Sequence, residues 1–180
     1  KIVKALQTFA RDDSKGAFFE VDLVQLIKET SMLYQARFNS RGIDLNIDLP
    51  YQKLFVEARS GQLSQAIFNI LVNAFDACMA KIEKENLTDL TQFPKVFVTV
   101  IEKDSHFVLK ISDSGLGIKP EFRDKLFQPF FTTKKPDKGS GLNLSIAKGI
   151  IEDHFGKIYF EFDEDLTTCT VELPKYKVET

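Results

Sequence analysis

Apolar residues recur along this chain in two rhythms, one at every third or fourth position and one at every second, and the changes between them mark out its elements. Ile2, Val3, Leu6 and Phe9 open in the helical rhythm, a polar joint follows from Arg11 to Gly16, and Phe18, Phe19 and Val21 predict a short strand. Asp22 with Gln25 three residues later has the spacing of a capping box, which predicts a helix carrying Leu23, Leu26, Ile27, Leu33 and Tyr34 on one face and stopping at Gly42. Ile43, Leu45, Ile47 and Leu49 alternate with polar residues, and Leu54 to Ala58 follows Pro50, which together predict two strands. From Leu63 the stripe Ala66, Ile67, Ile70, Leu71 and Ala74 predicts a long amphipathic helix.

Val96 to Glu102 and Phe107 to Ser112 flank a turn at Lys103 to Ser105 and predict a hairpin with His106 at its edge. Gly115 to Gly141 is irregular apart from a helical patch at Pro120 to Phe127, and it is too long for a simple connection. A third helix, Leu144 to His154, is expected to end at Gly156, with strands at Lys157 to Phe162 and Thr168 to Leu173 after it. Hairpins interspersed with helices predict an α+β fold: a two-layer α/β sandwich whose mixed, mostly antiparallel sheet is covered on one face by about three helices. No strand runs directly into a Walker-type glycine loop, so a nucleotide would have to be bound in another way.

A length of 180 residues favours one core. Hydrophobic residues at 43% and charged residues at 28% exclude disorder. A net charge of -2 supplies no basic field, so nucleic acid is not expected as a partner. No apolar run approaches the ~20 residues that span a bilayer. Cys78 and Cys169 lack the spacing of a zinc site or disulfide framework and read as packing residues in a reducing cytoplasm. The chain opens on Lys1 inside a helical pattern, which reads as a piece of a longer protein that could itself be anchored to a membrane.

Three constellations carry candidate chemistry. Asn69, Asn73 and Asp76, spaced four and three apart, share one face of the long helix; amide oxygens there suit Mg²⁺, and a solvated polar face has the same pattern. Asp113-Ser114-Gly115-Leu116-Gly117 follows a strand and places a carboxylate, able to accept a hydrogen bond from the amino group of adenine, before two glycines; a plain turn uses the same residues. Gly139-Ser140-Gly141-Leu142-Asn143-Leu144 runs into a helix whose free N–H groups favour phosphate, with Lys134, Lys135 and Lys138 just before it, though lysines are also common in any exposed loop.

Together N-I-L-V-N-A-F-D-A (69 to 77), D-S-G-L-G-I (113 to 118), F-Q-P-F-F-T-T-K (127 to 134) and G-S-G-L-N-L (139 to 144) resemble the N, G1, F and G2 boxes of histidine kinases, in order. These kinases share a superfamily with gyrase B, the heat-shock chaperone ATPases and MutL, and N-A-x-D-A with F-F-T-T-K looks most like their nitrogen-regulator branch. The resemblance covers residues 17 to 174 and implies a Bergerat-type ATP-binding fold. It divides the chain into the end of a second dimerisation helix with its linker (1 to 16) and a catalytic ATP-binding domain (17 to 180). It also implies ATP and Mg²⁺ as cofactors, with Mg²⁺ on Asn73 and Asn69 and adenine on Asp113, in a pocket shaped by Gly115, Gly117 and Ile118. Thr133, Lys134 and the backbone of Gly139, Ser140, Gly141, Leu142, Asn143 and Leu144 would meet the phosphates, and Phe127 to Thr133 would form a lid that closes over ATP and docks on the histidine-bearing helices. Thr167 matches a position that reaches adenine through water, although Leu166 stands where a glycine is usual.

The implied activity is transfer of the γ-phosphoryl group of ATP to a histidine on the protein's own dimerisation domain, in a homodimeric parent whose next partner is a response-regulator receiver domain. The third G2 glycine is Asn143 here; asparagine tolerates a left-handed backbone or a cap position, so the loop is expected to keep its shape. Neither His106 nor His154 stands in an acceptor motif. His106 reads as a strand-edge residue and His154 as a helix C-terminal residue favoured by the dipole. An ATP-hydrolysing relative would place a glutamate four residues before Asn73, where this chain has Asn69, an amide that cannot serve as a base. A nucleotide-binding module without catalysis is the other alternative.

Overall fold

A computed structural model describes residues 17–134 and 139–176. The predicted opening helix and polar joint over residues 1–16, together with Lys135 and Lys138, lie outside the described residues.

Strand β1 (Phe19–Asp22) runs straight into helix α1 (Leu23–Ser40). The Asp22 carboxylate caps α1 by accepting from the N–H groups of Val24 at 3.1 Å and Gln25 at 3.4 Å. The returning arm of the predicted capping box is not made, because the Gln25 amide donates to Glu29 one turn on at 2.7 Å. Gly42, at φ 70°, ends the helix and turns the chain into β2 (Asp44–Asp48). Strand β3 (Phe55–Ala58) pairs antiparallel with β1 as a separate two-stranded sheet that the sequence pattern did not distinguish from the main one.

Helix α2 (Ser60–Glu85) ends on left-handed Asn86 and is followed by β4 (Lys95–Glu102), β5 (His106–Asp113), α3 (Asn143–Asp153), β6 (Lys157–Phe162) and β7 (Thr167–Pro174). The main sheet has the order β2-β4-β5-β7-β6, and only the β2–β4 pair is parallel. The mixed, mostly antiparallel sandwich expected from the pattern is therefore the fold observed. The patch Pro120–Lys125 is a 3₁₀ turn.

Helices α1, α2 and α3 pack on the sheet against β2, on β4 and β5, and on β6 respectively. Alternate residues of the strands meet them: Val98, Ile111 and Cys169 form one row across β4, β5 and β7, and Val96, Asp113 and Thr167 form the next. Asp113 is thus a buried carboxylate between Val96 and Thr167. Helix α2 is long and apolar enough by composition to cross a membrane, yet its stripe Leu63, Ile67, Ile70 and Leu71 is fully buried in this core. Tyr34 and Phe38 of α1 meet Phe68 and Phe75 of α2 edge to face, with centroids 5.1 to 5.6 Å apart, which fixes the roll of α2 about its axis.

Two expectations at the end of α3 are corrected. His154 is not a dipole-stabilised cation: it is buried, with Nδ1 at 2.7 Å from the Ile150 carbonyl and Nε2 accepting the Arg59 N–H at 3.0 Å. That pairing needs a neutral ring protonated on Nδ1, and burial pushes the pKa down. The residue that turns left-handed is Phe155, at φ 58°, rather than Gly156. Gly156 is needed for a different reason, since a Cβ there would lie 2.5 Å from the Glu172 carbonyl oxygen.

Gly156→Ala should therefore lower the unfolding free energy by about 1–3 kcal/mol, the range for forced overpacking. Gly149→Ala, where a Cβ would meet nothing within 4 Å, should raise it by about 0.5–1 kcal/mol through helix propensity. Urea denaturation of both variants checks the pair, and equal effects would contradict the packing at Gly156.

Candidate functional site

The three constellations singled out in the sequence converge on one side of α2. The loop after β5 lies directly on the helix backbone: a Cβ on Gly115 would come 2.6 Å from the carbonyl carbon of Ala77, and the Leu116 N–H donates to the Ala77 oxygen at 3.1 Å. Glycine is thus required at 115 by contact. At Gly117 it is favoured by backbone, since φ is 72° and a Cβ would meet nothing within 4 Å. Ile118, half-buried, continues the loop and accepts from Arg123 Nε at 3.5 Å.

Asp113 is 4% exposed and stands opposite Thr167, its partner on β7. Its Oδ1 accepts the Gly115 N–H at 3.0 Å. Burial pushes its carboxyl up to about 7, opposed by that N–H and by the charge of Lys81. The carboxylate read from the motif as a hydrogen-bond acceptor is therefore one whose proton affinity burial has raised towards neutrality. Cys78 and Cys169 lie close enough to feel its charge, and both are buried thiols pushed up mainly by desolvation, in keeping with packing roles. Thr167 is buried, and the β6–β7 turn before it closes through the Asp163 N–H to the Leu166 carbonyl at 3.0 Å. Leu166 does this without a positive φ, so no glycine is required there.

Beside Ala77 on α2, Asp76 of the polar ridge meets the segment expected to form a lid. Lys134 Nζ sits 2.6 Å from Asp76 Oδ2, a half-buried ion pair joining that segment to the helix. Gly139 packs on this lysine, a Cβ there lying 3.1 Å from Lys134 Cδ. Asn73 is half-buried on the same face, and Asn69 is 8% exposed with its amide nitrogen buried and unpartnered. An unpaired buried amide is costly, and a half-turn of the group would present its oxygen instead. Among the described residues no cluster of three or more His, Cys, Asp or Glu could hold a metal. These neutral amides fit an ion that arrives with its own anionic ligands.

The base of this segment is anchored. Leu126 is buried, and Phe127 meets Phe160 of β6 in a tilted ring contact at 5.5 Å with Lys148 of α3 over its ring at 5.6 Å. Phe130 is 74% exposed at φ 65°, and its N–H donates to the Gly141 carbonyl at 3.0 Å. Gly141, at φ 68°, approaches Phe130 so closely that a Cβ would lie 2.5 Å from its carbonyl carbon. The left-handed residue of this box is therefore Gly141. Asn143 is the first residue of α3, after the N-cap Leu142, so its tolerance of left-handed backbone is not what preserves the loop. No side chain among the described residues caps α3, and Leu144 is buried in its first turn. Thr133 and Ser140 are exposed.

A cavity of about 220 Å³ adjoins the glycine loop, lined by Lys81, Glu85, Gly115 to Gly117 and Asp163 to Thr167. Another, of about 480 Å³, is lined by Asn39 to Gly42, Met79, Ile82, Leu90 and Phe93, and none of the site residues borders it. The sequence reading missed Lys81, whose Nζ donates to the Ser114 carbonyl at 3.1 Å. Its spacing of eight from Asn73 on a helix was the available signal.

Residues 58–177 match the family described as histidine kinase-, DNA gyrase B-, and HSP90-like ATPase. Sensor kinase CckA of Brucella abortus is 32% identical over 86% of this chain and 17% of its own length. Sensor histidine kinase ZraS of Escherichia coli is 31% identical over 86% of this chain and 30% of its own length. The catalytic domain of histidine kinase ThkA superposes with a TM-score of 0.75 at 32% identity, covering 89% of this chain and 97% of that one. The chain thus spans less than a third of these curated relatives, and the matches leave the nitrogen-regulator branch unassigned.

Because Asp113 binds a proton more tightly when folded than at its ordinary value of 3.8, the folded state holds more protons than the unfolded chain between about pH 4 and 7, and Asp113 makes stability fall as pH rises through that window. His154, with its pKa lowered, acts in the opposite direction and costs stability as pH falls. The difference between Asp113→Asn and the parent isolates the first effect. It should shift in favour of the variant from pH 4 to 7 and level off above, as read by urea denaturation; a flat difference would contradict the titration assigned to Asp113.

Proposed function

The chain belongs to the family of histidine kinase-, DNA gyrase B- and HSP90-like ATPases, and from that premise we propose that it binds ATP with Mg²⁺ and donates the γ-phosphoryl group to a histidine on a dimerisation domain of its own protein. The observation that carries the reading is the convergence on α2 of a buried carboxylate, two amides and a lid lysine, ordered from base to phosphate. Asp113 accepts the exocyclic amino group of adenine, with Thr167 beside it and Gly117 admitting the flat base. Asn73, with Asn69, holds the metal ion, which supplies neutralisation of the phosphate oxygens when bound. Lys134 leaves Asp76 for the phosphates, Thr133 and Gly139 to Leu144 surround them, and the uncapped N–H groups of α3 point at negative charge.

The chain's part in the reaction is positioning and charge neutralisation: the bond from the γ-phosphorus to the bridging oxygen breaks, ADP leaves, and a bond to the histidine nitrogen forms. The base that takes the histidine proton belongs to the other domain. Direct hydrolysis is disfavoured, since Asn69 stands where a water-activating carboxylate would be needed and an amide accepts no proton at neutral pH. A response-regulator receiver domain then takes the phosphoryl group; histidine kinase ThkA, 29% identical, is known in complex with a response regulator.

Transfer of labelled phosphate from ATP to a separately supplied dimerisation domain tests the proposal, with Asn73→Ala as the diagnostic variant. The variant should bind adenosine within about twofold of the parent and lose ten-fold or more in Mg²⁺-dependent ATP binding and transfer, about 1.4 kcal/mol or more. Alanine preserves the helix. Equal loss of adenosine and ATP-Mg²⁺ would remove Asn73 from the metal.

A further inference from the structure

Helix α2 grips the loop after Asp113 twice in consecutive turns. The Ala77 carbonyl accepts the Leu116 N–H at 3.1 Å, and four residues later Lys81 Nζ donates to the Ser114 carbonyl at 3.1 Å. From the opposite side β4 holds the same serine: Ser114 N–H donates to the Lys95 carbonyl at 3.0 Å, and Ser114 Oγ accepts the Lys95 N–H at 2.9 Å. Of these four bonds only the one from Lys81 brings a formal charge. The lysine reaches this carbonyl although Glu85, Asp163, Glu164 and Asp165 line the same cavity.

We propose that Lys81 is a positioning residue for the nucleotide base, fixing the Ser114 carbonyl and setting a positive charge beside the buried Asp113 carboxylate so that it meets the base as an anion. The inference rests on the reading of Asp113 as the adenine acceptor. Among the described residues, the titratable and charged groups that act on or feel Asp113 are Lys81 and Cys78 from α2 and Cys169 from β7, with the Gly115 N–H donating from its own loop. Both thiols are held neutral by burial, so Lys81 is the cation that opposes the desolvation of the carboxylate. A charge-assisted hydrogen bond is roughly twice as strong as a neutral one, and the fraction of Asp113 in its ionised form therefore sets how firmly adenine is held.

Lys81→Gln retains an amide donor for the Ser114 carbonyl and removes the charge, and Lys81→Arg restores the charge. Two measurements decide the matter: carbon-detected NMR titration of the Asp113 carboxyl in the empty protein, and ADP affinity by calorimetry from pH 6 to 9. Lys81→Gln should titrate at a higher pH than the parent and bind ADP about three- to tenfold more weakly at pH 7, with the deficit shrinking as pH rises. Lys81→Arg should return both readings to the parent's. An unchanged Asp113 midpoint in Lys81→Gln, or an ADP deficit of the same size at every pH, would overturn the proposal and leave Lys81 as a loop tether. The titration needs no nucleotide, so if the parent itself failed to bind ADP the functional reading would fall while the effect of Lys81 on Asp113 was still decided.

Discussion

The site depends on one steric constraint: the segment after β5 must lie against the bare backbone of α2 at Ala77, where a side chain on residue 115 would collide with the helix. Because that contact is backbone on backbone, with the Leu116 N–H on the Ala77 carbonyl, it sets the height of the loop on the helix. Asp113 then falls at the edge of the loop, in register with Thr167 on the next strand. The helix is itself held against rotation by the aromatic quartet it shares with α1 and by its buried stripe on the sheet. Turning α2 by one residue would carry Asn73 and Asp76 away from the lid and break the Ala77 contact together.

The same geometry sets the electrostatics. Burying Asp113 beneath α2, between Val96 and Thr167 on the neighbouring strands, raises its proton affinity, because desolvation penalises the charged form. Perturbed groups of this kind cluster where a ligand is bound, and on the proposed function the amino group of adenine would add a donor to the one Asp113 already has from Gly115. At the other end of the helix face the cost is avoided by pairing. Asp76 pairs with Lys134 at 2.6 Å, which holds that lysine against α2 beside Asn73.

Much of this was legible in the sequence because the signals were local. The three helices and the strand positions follow from apolar period and from glycine and proline punctuation, while the order of the boxes came from the resemblance to histidine kinases. What was not legible depended on distant partners. The separation of β1 and β3 from the main sheet is decided by pairing across the chain. His154 carries a helix-end signature, yet its protonation is fixed by an N–H from Arg59, 95 residues away. Gly156 read as a helix stop and is required by a carbonyl of β7. Asn143 read as a stand-in for glycine that could turn left-handed or cap the helix, whereas the left-handed position belongs to Gly141, packed against Phe130, and the N-cap is Leu142. The near-neutral titration of Asp113 also escaped, because burial is a property of the assembled sheet and not of the motif.

The central claim is that a nucleotide lies along α2 between the Asp113 loop and the lid. It is tested most directly by amide NMR shifts on adding ADP with Mg²⁺ to the intact chain. The largest changes should fall on Asn73, Asp76, Gly115, Gly117, Gly141 to Leu144 and Thr167, with the cavity lined by Gly42, Met79, Ile82 and Phe93 undisturbed. Shifts centred on that cavity, with the Asp113 loop and the start of α3 unmoved, would contradict it.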